Sequence, residues 1–188
     1  LVVLYFTSFG GFLALTAWFP TYWINLHHMS PEAAGALGGV GFSLLAALVR
    51  VAGGVVSERA GGERTALFAF ATVFVGATLL TFFLQFSINF IGELLIAIGM
   101  GVGNAAVFKM VPKYVPHAVG GASGWVGGLG ALGGFVIPPV LGATVDAMGT
   151  RGYGGGFFVY MFLAVVSMFI AVAFMRAESG RRSEELEA

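Results

Sequence analysis

GMGVGNAAVFKMVP (residues 99–112) and GGASGWVGGLGALGGFVIPP (residues 120–139) decide how this chain is read. Both stretches are apolar and helix-like, yet eleven glycines fall between Gly99 and Gly134. In a water-soluble helix each glycine costs about 1 kcal/mol relative to alanine. A bilayer changes the argument. Lipid offers the backbone no hydrogen-bond partner, so a spanning segment stays helical, and small residues let neighbouring backbones approach closely. The glycines therefore mark a surface where helices touch one another or a small ligand.

Composition agrees. Of 188 residues, 58% are hydrophobic and only 10% charged, against about 25% charged in soluble domains. This is the balance of an integral membrane protein. Nine basic and nine acidic residues cancel, which leaves no electrostatic case for nucleic acid. Cysteine is absent, so disulfides and thiolate metal sites are excluded. No nucleophile–base pair, phosphate loop or metal cluster appears, and neither an enzyme nor a cofactor is expected. The chain opens on Leu1 inside an apolar run, without an initiator Met or a signal-peptide n-region, and so reads as a fragment.

Six segments reach the roughly 20 residues needed to cross a hydrocarbon core about 30 Å thick. They run near residues 1–24, 33–56, 65–84, 89–111, 120–145 and 155–175, divided by short polar breaks. Ser30-Pro31-Glu32 supplies an N-cap and a first-turn proline for the second. The charged tail from Arg176 reads as disordered and cytoplasmic. Lys and Arg collect on alternate connections: Arg59 and Arg64, Lys109 and Lys113, then Arg176, Arg181 and Arg182. The first and third connections have none and the fifth has only Arg151. Both termini are therefore expected on the cytoplasmic side.

Arg50, in LLAALVRVAGG, is the sharpest single clue. An intramembrane Arg costs about 2.5–3.5 kcal/mol on insertion scales, so it faces a cavity or a partner. Its planar fork of donors suits a flat oxyanion. The alternatives are an Arg paired with Glu93 or backbone carbonyls, or one snorkelling to the cytoplasmic face. Tyr5 and Phe9, four apart, share a helix face, and Phe108 sits in GNAAVFK. Such aromatics can sandwich a planar anion, or simply pack. Asn104, among glycines and alanines, suits a ligand or an interhelical hydrogen bond. Lys109 is either a snorkelling last-turn residue or a second charge along an anion path. Gly124, Gly127, Gly128 and Gly134 can bring bare backbone against a ligand or a helix, and Pro138-Pro139 is expected to kink or break the fifth span. Glu93 reads as interfacially solvated, and His27 and His28 as solvated loop residues.

Gly54-x-x-Ser57-Glu58-Arg59-x-Gly61 with Arg64 resembles the cytoplasmic loop signature of the major facilitator superfamily, with Glu58 where Asp is usual. GNAAVFKMVP and GWVGGLGALGGFVIPP further resemble the nitrate/nitrite porters within it. The resemblance covers nearly the whole chain and implies an all-α membrane protein, the C-terminal six-helix half of a twelve-helix carrier. It implies a bundle over residues 1–175 and a tail over 176–188. It also implies that Arg50 is one of two substrate arginines, that Tyr5 bonds the anion and Phe108 stacks on it, and that Gly124 and Gly127 lie near it. Ser57, Glu58, Arg59 and Arg64 would form the gating loop.

The expected function is alternating-access transport of nitrate and nitrite across a bacterial inner membrane, with Lys109 bearing on proton symport against exchange. The partners implied are nitrate or nitrite, a proton, the lipid bilayer and an absent N-terminal half. Two other readings stay open: a facilitator carrier for a different small anion, and a non-transporting truncated or assembly fragment.

Overall fold

A computed structural model of the chain describes the backbone of residues 1–187 and the side chains of residues 1–180. Among the described residues it is helical throughout, with six helices long and apolar enough to cross a membrane. We number them α1 (Val2–His27), α2 (Pro31–Ala60), α3 (Gly62–Phe82), α4 (Phe86–Tyr114), α5 (Pro116–Gly155) and α6 (Phe158–Glu187).

Each helix boundary has a local cause. α2 starts where the Ser30 hydroxyl accepts from the Ala33 amide at 3.3 Å, with Pro31 in the first turn. α1 stops at His28, which takes left-handed backbone angles (φ 53°). Only Gly61 separates α2 from α3. Its φ of +88° is a region that side-chain-bearing residues rarely adopt. The short polar break expected at SERAGGER is thus a single residue, with helix on both sides of it.

Two further expectations are corrected. The helix continues through Pro138 and Pro139 to Met148, and the interruption of α5 lies upstream, at Leu132. There the amides of Leu132 and Phe135 bond three residues back, to Leu129 and Leu132 at 3.3 and 2.9 Å. The tighter turn falls just before the carbonyls that the proline rings deprive of donors. The tail, expected to be disordered from Arg176, begins as helix, because α6 runs on without a break. Glu178 is held there by Lys113 of α4 at 2.7 Å. Beyond Gly180 the tail's side chains lie outside the described residues.

α4 is the central element, with α2 and α3 packed on either side of it. The core is aromatic: Phe19, Tyr22, Trp23, Phe42, Phe157 and Tyr160 are all buried. α1 meets α6 through Ser167 donating to Thr7 at 2.9 Å and Tyr160 donating to the Gly11 carbonyl at 3.2 Å. α1 meets α5 along glycine. A Cβ on Gly133 would lie 2.8 Å from the Gly10 Cα, and one on Gly130 would lie 2.7 Å from the Tyr5 ring. At these positions nothing larger than hydrogen fits without moving a helix. α1 widens to π-helical turns over Phe6–Gly10, at this same contact.

Candidate functional site

The site is built from α1, α2, α4 and the glycine run of α5. α2 exposes Val40, Leu44, Leu48, Val51 and Val55 on one stripe. At 100° per residue, Arg50 points away from that stripe and shares a face with Ala46, Gly53 and Ser57, which are buried. The neighbours of that face are close: a Cβ on Gly53 would sit 2.7 Å from the Val102 Cα of α4. Arg50 is nevertheless exposed. It is therefore on the protein-facing side of its helix and uncovered there. The helix ends at Ala60, ten residues on, so Arg50 lies about 15 Å along the axis from that end, half the thickness of a bilayer core.

Tyr5 is buried (4% exposed), and its phenol lies close enough to Arg50 to sense its charge. Its ring stacks on Phe9 with centroids 5.0 Å apart and meets Phe108 edge-on at 4.8 Å. The Phe108 ring tip would be 3.8 Å from a Cβ at Gly127. The structure thus brings Arg50, Tyr5, Phe9, Phe108 and Gly127 into one chain of contacts across four helices. No carboxylate among the described residues forms an ion pair with Arg50, so pairing with Glu93 does not occur.

The glycine run divides by face. Gly130, Gly133 and Gly134 press on α1, Gly134 against Leu13. Gly120, Gly121, Gly124 and Gly128 have open space where a Cβ would project. Gly121, Gly124 and Gly128 line a shallow recess of about 350 Å³ with Trp125 and Leu129. Asn104 is buried (3% exposed), and its Oδ1 has no hydrogen-bond partner. Ser8 sits close by, against Gly103, and its buried hydroxyl is also unpartnered.

The residues expected to form the gating loop gather at the end of the bundle that carries the chain termini. Lys109 pairs with Glu58 at 3.4 Å, linking α4 to α2 through two exposed side chains. Ser57 is buried, while Arg59 and Arg64 are exposed. The stronger tie there is one that the sequence did not single out. Buried Glu63 accepts from Lys113 and from the Tyr114 hydroxyl, each at 2.7 Å, and Lys113 also holds Glu178. It spans α3, α4 and α6 beside a cavity of about 780 Å³ that Ser57, Glu58, Arg64 and Lys109 also line. Its only sequence signal was an acid and a base flanking two apolar spans.

The opposite end also differs from expectation. Glu93 is not solvated: it is 2% exposed, and its Oε2 accepts from the Trp23 indole at 2.6 Å. His27 is not a free loop residue. It packs on Tyr22, Trp23 and Phe86, and its Nε2 lies 3.0 Å from the Asn89 Nδ2. The causes differ: His27 is drawn in because α1 runs on past residue 24 and α4 starts before residue 89, whereas Glu93, well inside its span, faces Trp23 of α1.

A six-helix membrane bundle with an uncovered arginine at mid-depth is an architecture suited to a membrane transporter. The match to the Major Facilitator Superfamily runs over residues 1–188, and the chain belongs to that family. It is a multi-pass protein of the bacterial inner membrane. It is 34% identical over 172 residues to the nitrite extrusion protein of Bacillus subtilis, covering 92% of this chain and 43% of that protein. It is 32% identical over 182 residues to the probable nitrate/nitrite antiporter NarK1 of Thermus thermophilus, covering 87% of this chain and 40% of that one. With the probable nitrate transporter NarT of Staphylococcus epidermidis it shares 30% over 166 residues, again 87% of this chain and 42% of the relative. The chain spans less than half the length of these relatives.

Proposed function

We propose that this chain is one half of a carrier that moves nitrate and nitrite by alternating access, and that Arg50 binds the anion. The observation that carries this reading is the setting of Arg50. It is a mid-depth guanidinium with no carboxylate partner among the described residues, on the protein-facing side of α2, against a Tyr5–Phe9–Phe108 cluster. A fixed positive charge beside a phenol donor and ring faces matches a small planar oxyanion. The open backbone at Gly124 and Gly128 offers room on the α5 side of the bundle. Asn104 and Ser8 supply further polar atoms with unused hydrogen-bonding capacity. A second six-helix half would close the site from the uncovered side, placing the anion between halves at mid-depth.

The termini and the Glu63–Lys113 tie then face the cytoplasm, as the Lys and Arg distribution requires. Lys109 acts there as a clasp to Glu58, and its release in the other conformation would free a positive charge along the exit path.

The test is nitrate uptake by the assembled carrier with Arg50→Lys. Loss of uptake with normal insertion is expected, because an ammonium lacks the bidentate fork. Wild-type uptake by that variant would remove Arg50 from the site. Competition by nitrite and chlorate, but not by carboxylates, would separate this reading from a carrier for another anion.

A further inference from the structure

One buried ionisable group plays no part in the site above. Glu93 lies within a closed cluster where α1 and α4 meet, at the end of the bundle opposite the termini. Its Oε2 takes the Trp23 indole proton at 2.6 Å, and no Lys or Arg among the described residues pairs with it. The ionisable groups of α1 that face it are Tyr22 and His27, and Tyr22 is close enough to sense its charge. The α3 atoms nearest to Gly92, the residue beside it, belong to Gly76, Leu79 and Leu80. Tyr160 of α6 is directed elsewhere, to the Gly11 carbonyl.

The surroundings provide for both protonation states. A carboxylate needs donors, and Trp23 supplies one. A carboxylic acid needs an acceptor for its own proton. Asn89 stands one helical turn before Glu93, on the same face, fully buried with its Oδ1 unpartnered. The Tyr22 hydroxyl is likewise buried and lies beside Asn89. The two states also differ in how firmly they join the helices. A hydrogen bond to an ionised acceptor is about twice as strong as one between neutral groups, so proton binding loosens the α1–α4 clasp.

We infer that Glu93 is a proton-binding site whose protonation weakens the Trp23 clasp between α1 and α4, coupling a proton to opening of this end of the bundle. The proton comes from water when the cluster opens, forms the O–H bond on Glu93 and returns to water when the site is exposed again. No other group is consumed. Assigning that proton as a co-substrate rests on the transport reading above; the proton site itself does not.

The experiment therefore has two arms on the assembled carrier. Infrared difference spectra across an acid titration should show a protonated-carboxyl band that disappears in Glu93→Gln and shifts but persists in Glu93→Asp. An unchanged band in Glu93→Gln overturns the site, as does no band in the wild type, and so does a titration lost only with His27→Asn. In proteoliposomes holding a pH dye, nitrate addition should move protons inward in the wild type. Glu93→Gln should abolish that movement while nitrate/nitrite exchange stays within about twofold of the wild type, roughly 0.4 kcal/mol. Proton movement that survives in Glu93→Gln overturns the coupling. If the wild type transports no nitrate, the anion reading fails while the infrared arm still decides Glu93.

Discussion

Arg50 shows how much a single residue can reveal before any coordinates exist. A guanidinium deep in an apolar run must be either compensated or functional, and that alternative is visible in the letters alone. Its solution needed the helix phase, because Arg50 lies opposite Leu48 and in line with Ala46 and Ser57. At the same scale, Phe108 contributes a ring edge to Tyr5. Phe108→Ala should weaken nitrate binding with little loss of folded carrier, since Phe108 is only half-buried; the apparent KM for uptake, set against the unfolding temperature, checks this. Gly61 makes the opposite kind of prediction. Gly61→Ala places a side chain at φ +88° and ψ 147°, and should destabilise the fold by about 1–3 kcal/mol, visible as a lower unfolding temperature in detergent.

Among the elements, α5 carries the clearest division of labour. Gly130 and Gly133 are spent on the approach to α1, whereas Gly124 and Gly128 face open space. Gly133→Ala should therefore cost about 1–3 kcal/mol by overpacking and reduce the yield of folded protein. Gly124→Ala should leave stability unchanged within about 0.5 kcal/mol and lower transport. Thermal unfolding and uptake of the two variants, measured side by side, separate packing glycines from site glycines. The sequence marked the whole run as a contact surface. It did not distinguish the two faces, because every glycine has the same side chain and only the neighbouring helix decides which hydrogen is crowded.

For the whole molecule, the two ends of the bundle are built differently. One is tied by ions: Glu63, Lys113 and Glu178 join α3, α4 and α6. The other is tied by Trp23 and Glu93 within an aromatic cluster. Removing a cation from a buried carboxylate is costly. Lys113→Met should thus destabilise the fold by roughly 3 kcal/mol, the low end of the about 3–5 kcal/mol that breaking a buried pair costs, because Lys113 is part-exposed and Tyr114 still donates to Glu63. Glu63→Gln in the same chain should recover part of the loss, by relieving the unpaired charge. Denaturation of the single and double variants gives the coupling directly.

Hydropathy, the spacing of Lys and Arg and the glycine run were enough to establish six membrane helices and the residues around which a site could form. Those properties follow from the cost of exposing backbone or charge to lipid, which acts on each segment separately. Tertiary structure decided the rest. It joined Arg50, Tyr5 and Phe108 from three helices, enclosed Glu93 instead of leaving it wet, and drew Glu63 into the strongest tie of its end. These outcomes depend on which face of each helix meets which neighbour. A rotation of 100° per residue turns small differences in packing into different partners, and no single segment contains that information.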